Sequence, residues 1–319
     1  MRKASCFCLV ICYALGASGQ TATPVVQSRM VSVPILVEGR SGESANDLSA
    51  TDFSIKDNGV EQRVELESKT HSQPLSLLLV IQTGRNAPAE LGKIARLDDL
   101  LDSILTDRRD QVAILTFDSR PRLVQDFTSD SDPISHSLSS IAPGDKGAAL
   151  FDALHVAVAL FSKAPLQNRR VILLISGEHD HGSDAPDAAS LVRGVSSRDV
   201  SVYSLTFAPA KKELPNRSWS TDPLAMAASA MQDNAAEALT KLTGGDFYRF
   251  DSQNSFDEGV GEMANHIHNR YCLTFQPRDP GPGFHSLLVE VRRPRANVVS
   301  ARSGYWFSPP DGSGNGSPR

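Results

Sequence analysis

The stretch Ser76-Leu77-Leu78-Leu79-Val80-Ile81-Gln82-Thr83-Gly84 decides the fold. Its apolar run shows no polar alternation, which is the pattern of a strand covered on both faces. Downstream, Ile94, Leu97, Leu101 and Ile104 recur at helical spacing, and Val112-Ala113-Ile114-Leu115 reads as another strand. Leu150, Leu154, Val158 and Phe161 mark a second helix face, and Val171-Ile172-Leu173-Leu174-Ile175 a third strand. Residues 188–195 (helix), 200–207 (strand), 235–242 (helix, stopped by Gly244-Gly245) and 247–250 (strand) continue the order. Strands alternating with helices predict an α/β fold, a mainly parallel sheet with helices on both faces. Ligands of such a sheet belong at the C-terminal ends of its strands.

Outward from this centre, both flanks read as β. Val31, Val33 and Ile35 alternate with other residues, as do Phe53 and Ile55, and Asp57-Asn58-Gly59 carries the chemistry of a tight hairpin. After a helix near residues 256–268, strands follow at 271–275, 287–291 and 298–305, broken by Asp279-Pro280-Gly281-Pro282-Gly283. Two or three strands need a partner face to be stable. Segments 20–73 and 270–308 are therefore expected to pair into one small β domain beside a central unit at 74–269. Residues 209–233, with Trp219, form a long excursion, and 309–319 read as a disordered Pro/Gly/Ser tail.

Composition narrows the function. Of 319 residues, 40% are apolar and 22% charged, which excludes wholesale disorder and permits a real core. Lys and Arg total 32 against 37 Asp and Glu, giving a formal net charge of -5 without any basic run. Nucleic acid and anionic lipid are thereby poor partners. Arg2-Lys3, an apolar stretch and Ala17-Ser18-Gly19 have the order of a secretory signal over residues 1–19. Leu9-Val10-Ile11-Cys12 has a lipoprotein flavour, but bulky Ile11 stands where a small residue belongs. No later stretch suggests a transmembrane span. The mature chain is expected to be secreted or periplasmic, with Cys272 its one thiol and hence no internal disulfide.

Several motifs, taken in order, resemble a von Willebrand factor A domain. They are Ile81-Gln82-Thr83-Gly84, Thr116-Phe117-Asp118 and Gly147-Ala148-Ala149-Leu150-Phe151-Asp152-Ala153-Leu154. The flanking Asp52-Phe53, Asp57-Asn58-Gly59, Tyr271-Cys272-Leu273-Thr274-Phe275-Gln276-Pro277 and Ala301-Arg302-Ser303-Gly304-Tyr305 narrow the likeness to exported A-domain proteins abundant in acidobacteria. The resemblance implies a Rossmann-like fold and a metal-ion-dependent adhesion site of Asp-x-Ser-x-Ser, a later Thr and a further Asp. Hard oxygen ligands of that kind suit Mg²⁺. Here Gln82, Gly84, Asn86, Ala148 and Gly177 occupy those five positions, and none is anionic. The adhesion site is thus expected to be degenerate, with no metal and no cofactor.

Enzyme motifs are missing: there is no Gly-x-Ser-x-Gly, no phosphate loop and no dinucleotide fingerprint. The expectation is a non-enzymatic module that binds a protein partner. Its contacts would come from Gln82, Thr83, Gly84, Asn86, Ala148 and Gly177 and from loops 83–86, 145–148 and 178–184. Two readings of Glu178-His179-Asp180-His181 stand. His179 and His181 could bind Zn²⁺ or Cu²⁺, giving a metal-dependent binder or hydrolase. Otherwise Asp180 or Ser183 caps the backbone amides of the next helix.

Overall fold

Leu77, Leu79 and Ile81 of β5 (Leu75–Gln82) enter one apolar cluster, whereas Leu78 and Val80 enter another. This period-two division places packed layers on both faces of a central sheet. The computed structural model describes residues 30–39, 45, 47–67, 73–94, 96–184, 187–207, 223–278 and 281–308. The leader expected at 1–19, residues 40–44 and 46, Trp219, Asp279-Pro280 and the tail expected at 309–319 lie outside the described residues.

The central sheet has the order β10-β9-β8-β5-β6-β7. Besides β5, its strands are β6 (Gln111–Phe117), β7 (Pro121–Thr128), β8 (Arg169–Ser176), β9 (Val200–Phe207) and β10 (Phe247–Phe250). All neighbours are parallel except β6 and β7, which form an antiparallel pair at one edge. The sequence reading did not include β7. Its half-exposed mixture of Arg, Gln and Asp lacks the buried signature of the inner strands, and Pro121 begins it, as an edge permits.

Helices α3 (Leu150–Leu160), α4 (Ala188–Ser197), α5 (Pro223–Asp233) and α6 (Ala235–Thr243) cover the Leu78 face. Helices α1 (Leu97–Leu101), α2 (Ser131–Ser139) and α7 (Gln253–His268) cover the other. The periodic residues Ile94, Leu97, Leu101 and Ile104 are all buried, but not on one helix. A 3-10 turn at Leu91–Ile94 precedes the short α1, whose N-cap Arg96 supplies no side-chain cap. At the end of α6, Gly244 takes the left-handed C-cap conformation with φ 76°. The second half of the 209–233 excursion is helix α5.

Two four-stranded antiparallel sheets adjoin this unit. One has the order β13-β1-β11-β4, from Asn297–Ala301, Val31–Glu38, Tyr271–Phe275 and Val64–Glu67; the other is β14-β12-β2-β3, from Gly304–Phe307, Gly283–Val291, Phe53–Asp57 and Val60–Gln62. Strand β1 pairs β11 and β2 pairs β12, so each sheet mixes the two ends of the chain. Val33, Ile35, Phe53, Ile55, Leu273, Phe275 and Tyr305 form one apolar cluster between the sheets. The hairpin between β2 and β3 turns through Asn58 (φ 46°) and Gly59 (φ 82°). Residues 298–305, read from sequence as one strand, are divided between β13 and β14 in different sheets.

Candidate functional site

The C-terminal ends of β5, β6 and β8 bring together loops 83–86, 118–120, 144–149 and 177–184. Gln82 is 3% exposed and both ends of its amide are engaged. Its Nε2 donates to the Gly84 carbonyl (3.1 Å), and its Oε1 accepts the Gly177 N–H (2.9 Å). Thr83 is equally buried; its N–H and hydroxyl both donate to the Phe117 carbonyl, and its own carbonyl accepts the Gly144 N–H. Arg85 N–H donates to Asp145 O at 2.8 Å, with φ 54° at Arg85. Asn86 is exposed at the start of a 3-10 turn, Ala87–Ala89.

Gly84 is held so closely that no side chain fits. A Cβ there would collide with the Gly147 carbonyl oxygen and lie 2.8 Å from both Asp145 O and Asp118 Cβ. At Gly177 a Cβ would press on the Phe207 ring at 3.2 Å. Ala148 is fully buried and exchanges two backbone hydrogen bonds with His181, at 2.8 and 2.7 Å. As a donor set for Mg²⁺ these positions do not fit. The carbonyl of Gln82 is already used, and Gly84, Ala148 and Gly177 offer no side-chain oxygen.

The loop at 178–184 acts as a cap. Asp180 accepts the Phe151 N–H (3.1 Å) and the Ser183 hydroxyl (2.5 Å), and Ser183 Oγ accepts the Asp152 N–H (3.1 Å). These amides belong to the first turn of α3, whose own N-cap Ala149 has no capping side chain. The helix served therefore precedes the loop, whereas the sequence pattern suggested the one that follows. That following helix, α4, is capped by Asp187 instead. The His179 and His181 rings are half-buried, 6.5 Å apart and edge-on. Among the described residues, no group of three His, Cys, Asp or Glu side chains is placed to hold a metal ion.

Polar groups other than Gln82, Thr83 and Asn86 fill the same face. Asp118, 3% exposed, pairs with Arg122 and accepts the Arg120 N–H. Ser119 donates its hydroxyl and its N–H to Asp145. With the Gly147 N–H also donating, these bonds, the Ser119 hydroxyl foremost, hold the Asp145 carboxyl below the ordinary carboxylate range. Arg249 of β10 reaches Glu178 at 2.8 Å. Ser119, Arg120, Arg122, Pro143 and Asp145 line an open groove of about 640 Å³. Ser119 and Arg122 flank the β6–β7 turn, so overlooking β7 hid them.

His266 of α7 is 4% exposed. Its Nδ1 meets Asp246 at 2.8 Å and the Tyr248 hydroxyl at 3.1 Å, while His268 is half-buried beside the Ser103 carbonyl. Positions i and i+2 diverge on a helix, so one of them faced inward.

No curated protein matches the chain. Solved structures of similar shape include the conserved hypothetical protein BatB from Bacteroides thetaiotaomicron, at 19% identity, 60% of this chain, 99% of that chain and TM-score 0.42. The vWF domain of the type V pili tip protein Mfa5 from Porphyromonas gingivalis matches at 10% identity, 63% of this chain, 96% of that chain and TM-score 0.45. A von Willebrand factor type A protein from Catenulispora acidiphila matches at 10% identity, 88% of this chain, 75% of that chain and TM-score 0.45. Residues 84–179 match the von Willebrand factor type A domain family, and the mainly parallel sheet to which they contribute has that fold.

Proposed function

We propose that the chain is an exported, non-enzymatic protein-binding module, an adhesion or scaffold protein that uses the strand-end loops of its A-type fold without the usual metal. The observation that carries this reading is the Gln82 amide, which joins the loops after β5 and β8 where a metal would otherwise join them. The face is rigid and polar: Asn86 is exposed, and Ser119, Arg120 and Asp145 border an open groove. A preorganised surface loses little freedom on binding. Export to the periplasm or beyond rests on Arg2-Lys3, the apolar stretch and Ala17-Ser18-Gly19.

The test is affinity capture from the cell envelope with the immobilised chain, with and without EDTA. Capture of a protein that survives EDTA and is lost with Asn86→Arg supports the reading. Micromolar Mg²⁺ binding in calorimetry, abolished by Gln82→Ala, overturns it. Zn²⁺ binding lost in both His179→Ala and His181→Ala instead favours a metal-dependent binder or hydrolase. For export, the secreted form is expected to begin near Gln20; a mature chain that starts at Met1 contradicts it.

A further inference from the structure

Three buried polar side chains meet in the antiparallel sheet β14-β12-β2-β3, outside the strand-end loops. They are Asp57 at the end of β2, His285 of β12 and Tyr305 of β14, each at most 5% exposed. His285 Nδ1 lies 2.8 Å from Asp57 Oδ1, and its Nε2 lies 2.7 Å from the Gly281 carbonyl oxygen. The Tyr305 hydroxyl donates to Asp57 Oδ2 at 2.7 Å, and its ring stacks on the imidazole with centroids 4.9 Å apart. The Asn58 amide nitrogen stands 3.5 Å from Nδ1, beyond the usual length of a hydrogen bond.

A neutral imidazole carries one N–H donor and one acceptor nitrogen. Both nitrogens of His285 face oxygens that accept. A neutral ring would therefore set a nitrogen lone pair against an oxygen lone pair in a buried place, leaving one hydrogen bond unmade. A second ring proton removes the conflict: Nδ1–H then donates to ionised Asp57, and Nε2–H to Gly281. Imidazole is a far stronger base than a carboxylate, so that proton rests on the ring. The titratable groups facing the ring are Asp57 and Tyr305. Burial, followed by the bond to Asp57, raises the Tyr305 hydroxyl well above the ordinary phenol range, so it remains a donor. The Arg302 charge also reaches that hydroxyl, but its guanidinium is engaged by Asp199. Helix α5, packed against β12, has no titratable side chain before Asp233. Lys56 and Glu290 pair with each other on the opposite side of the sheet.

We propose that Asp57 and His285 form a proton-dependent latch that holds the turn at Gly281 against the β2–β3 hairpin. As imidazolium, the ring makes both bonds; as neutral imidazole, it gives one of them up. The Gly281 bond is the one expected to open. A Cβ at Gly281 would meet nothing within 4 Å, whereas Asp57 is fixed by Tyr305. The unfolded chain releases its second imidazole proton as pH rises through about 6.5, while the latch holds it. The latch thus contributes its full stability below about pH 6.5 and loses it as pH rises further. It lies in a different sheet from the strand-end face and does not depend on the function proposed for that face.

The experiment follows the full chain by ¹⁵N NMR of its histidine rings and by urea unfolding between about pH 5.5 and 8.5. The His285 signals are identified by their loss in His285→Gln or by their contact with the Tyr305 ring. In the folded chain at about pH 7.5, both ring nitrogens of His285 are expected to carry protons. A neutral ring with a single N–H at that pH overturns the proposal. The unfolding constant is expected to rise with pH above neutrality, by up to about tenfold per unit, the limit for one proton. Asp57→Asn is expected to remove that slope. Its amide offers an N–H to Nδ1 and a carbonyl oxygen to Tyr305, so a neutral ring is satisfied in every bond. His268→Gln, at a half-buried histidine elsewhere, should leave the slope in place. Equal slopes in the unaltered chain and in Asp57→Asn overturn the proposal; if Asp57→Asn does not fold, the ring spectrum of the unaltered chain decides.

Discussion

The Gly177 N–H donates to the side-chain oxygen of Gln82 at 2.9 Å, tying the loop after β8 to the end of β5. The same amide's nitrogen reaches the Gly84 carbonyl, so one neutral side chain spans the centre of the face. Its truncation leaves a buried N–H and a buried carbonyl unpaired together. Gln82→Ala is expected to cost about 2 kcal/mol in chemical denaturation. Gln82→Asp restores an anion at the position and is still expected to give a flat Mg²⁺ titration, since Gly84, Ala148 and Gly177 contribute no ligand.

Gly84→Ser tests whether the close approach of loops 83–86 and 144–149 is rigid. With no room for a Cβ beside Gly147 and Asp145, the backbone must move, and a loss of about 3 kcal/mol is expected. Gly92→Ser, where a Cβ meets nothing within 4 Å, is the control, expected within about 0.5 kcal/mol of the unaltered chain. Equal effects at the two glycines would contradict the packing described.

Asp246 faces Arg270, whose side chain is 4% exposed, at 3.4 Å, and also accepts from His266. Removing one member of a buried pair leaves an uncompensated charge. Asp246→Ala is therefore expected to lower stability by about 3 kcal/mol, whereas Glu61→Ala, from an exposed pair with Arg292, should cost well under about 1 kcal/mol. Urea unfolding of the two variants makes the comparison.

Alkaline pH should destabilise the protein in a defined window. Burial pushes the Cys272 thiol from about 9 up to about 12, and the Tyr203 hydroxyl from about 10 up to about 12. Both acids keep their protons in the folded state where the unfolded chain has lost them. Their contribution is therefore fully present below about pH 9 and is lost as pH rises toward 12. The unfolding midpoint should fall across that window, and Cys272→Ala should flatten its lower part. Cys272 in the folded chain should also resist alkylation at pH 8 and react on unfolding.

The sequence alone determined the centre of this protein. An apolar run at Leu75–Gln82, repeated in β6, β8 and β9, can be buried only between two layers, and the intervening helical periods supply them. It also determined the Asn58-Gly59 hairpin and the Gly244 stop, because each depends on local chemistry. Tertiary structure decided what local patterns do not carry. β7 is a strand because the edge of β6 offers it hydrogen bonds, and β13 and β14 separate because their partners, β1 and β12, lie in different sheets. Gln82 became a cross-link only when β8 brought Gly177 beside it, and Asp180 became a cap only when the first turn of α3 came within reach. Hydrophobic period is written along the chain; the meeting of polar groups is fixed by which surfaces the packed core brings together.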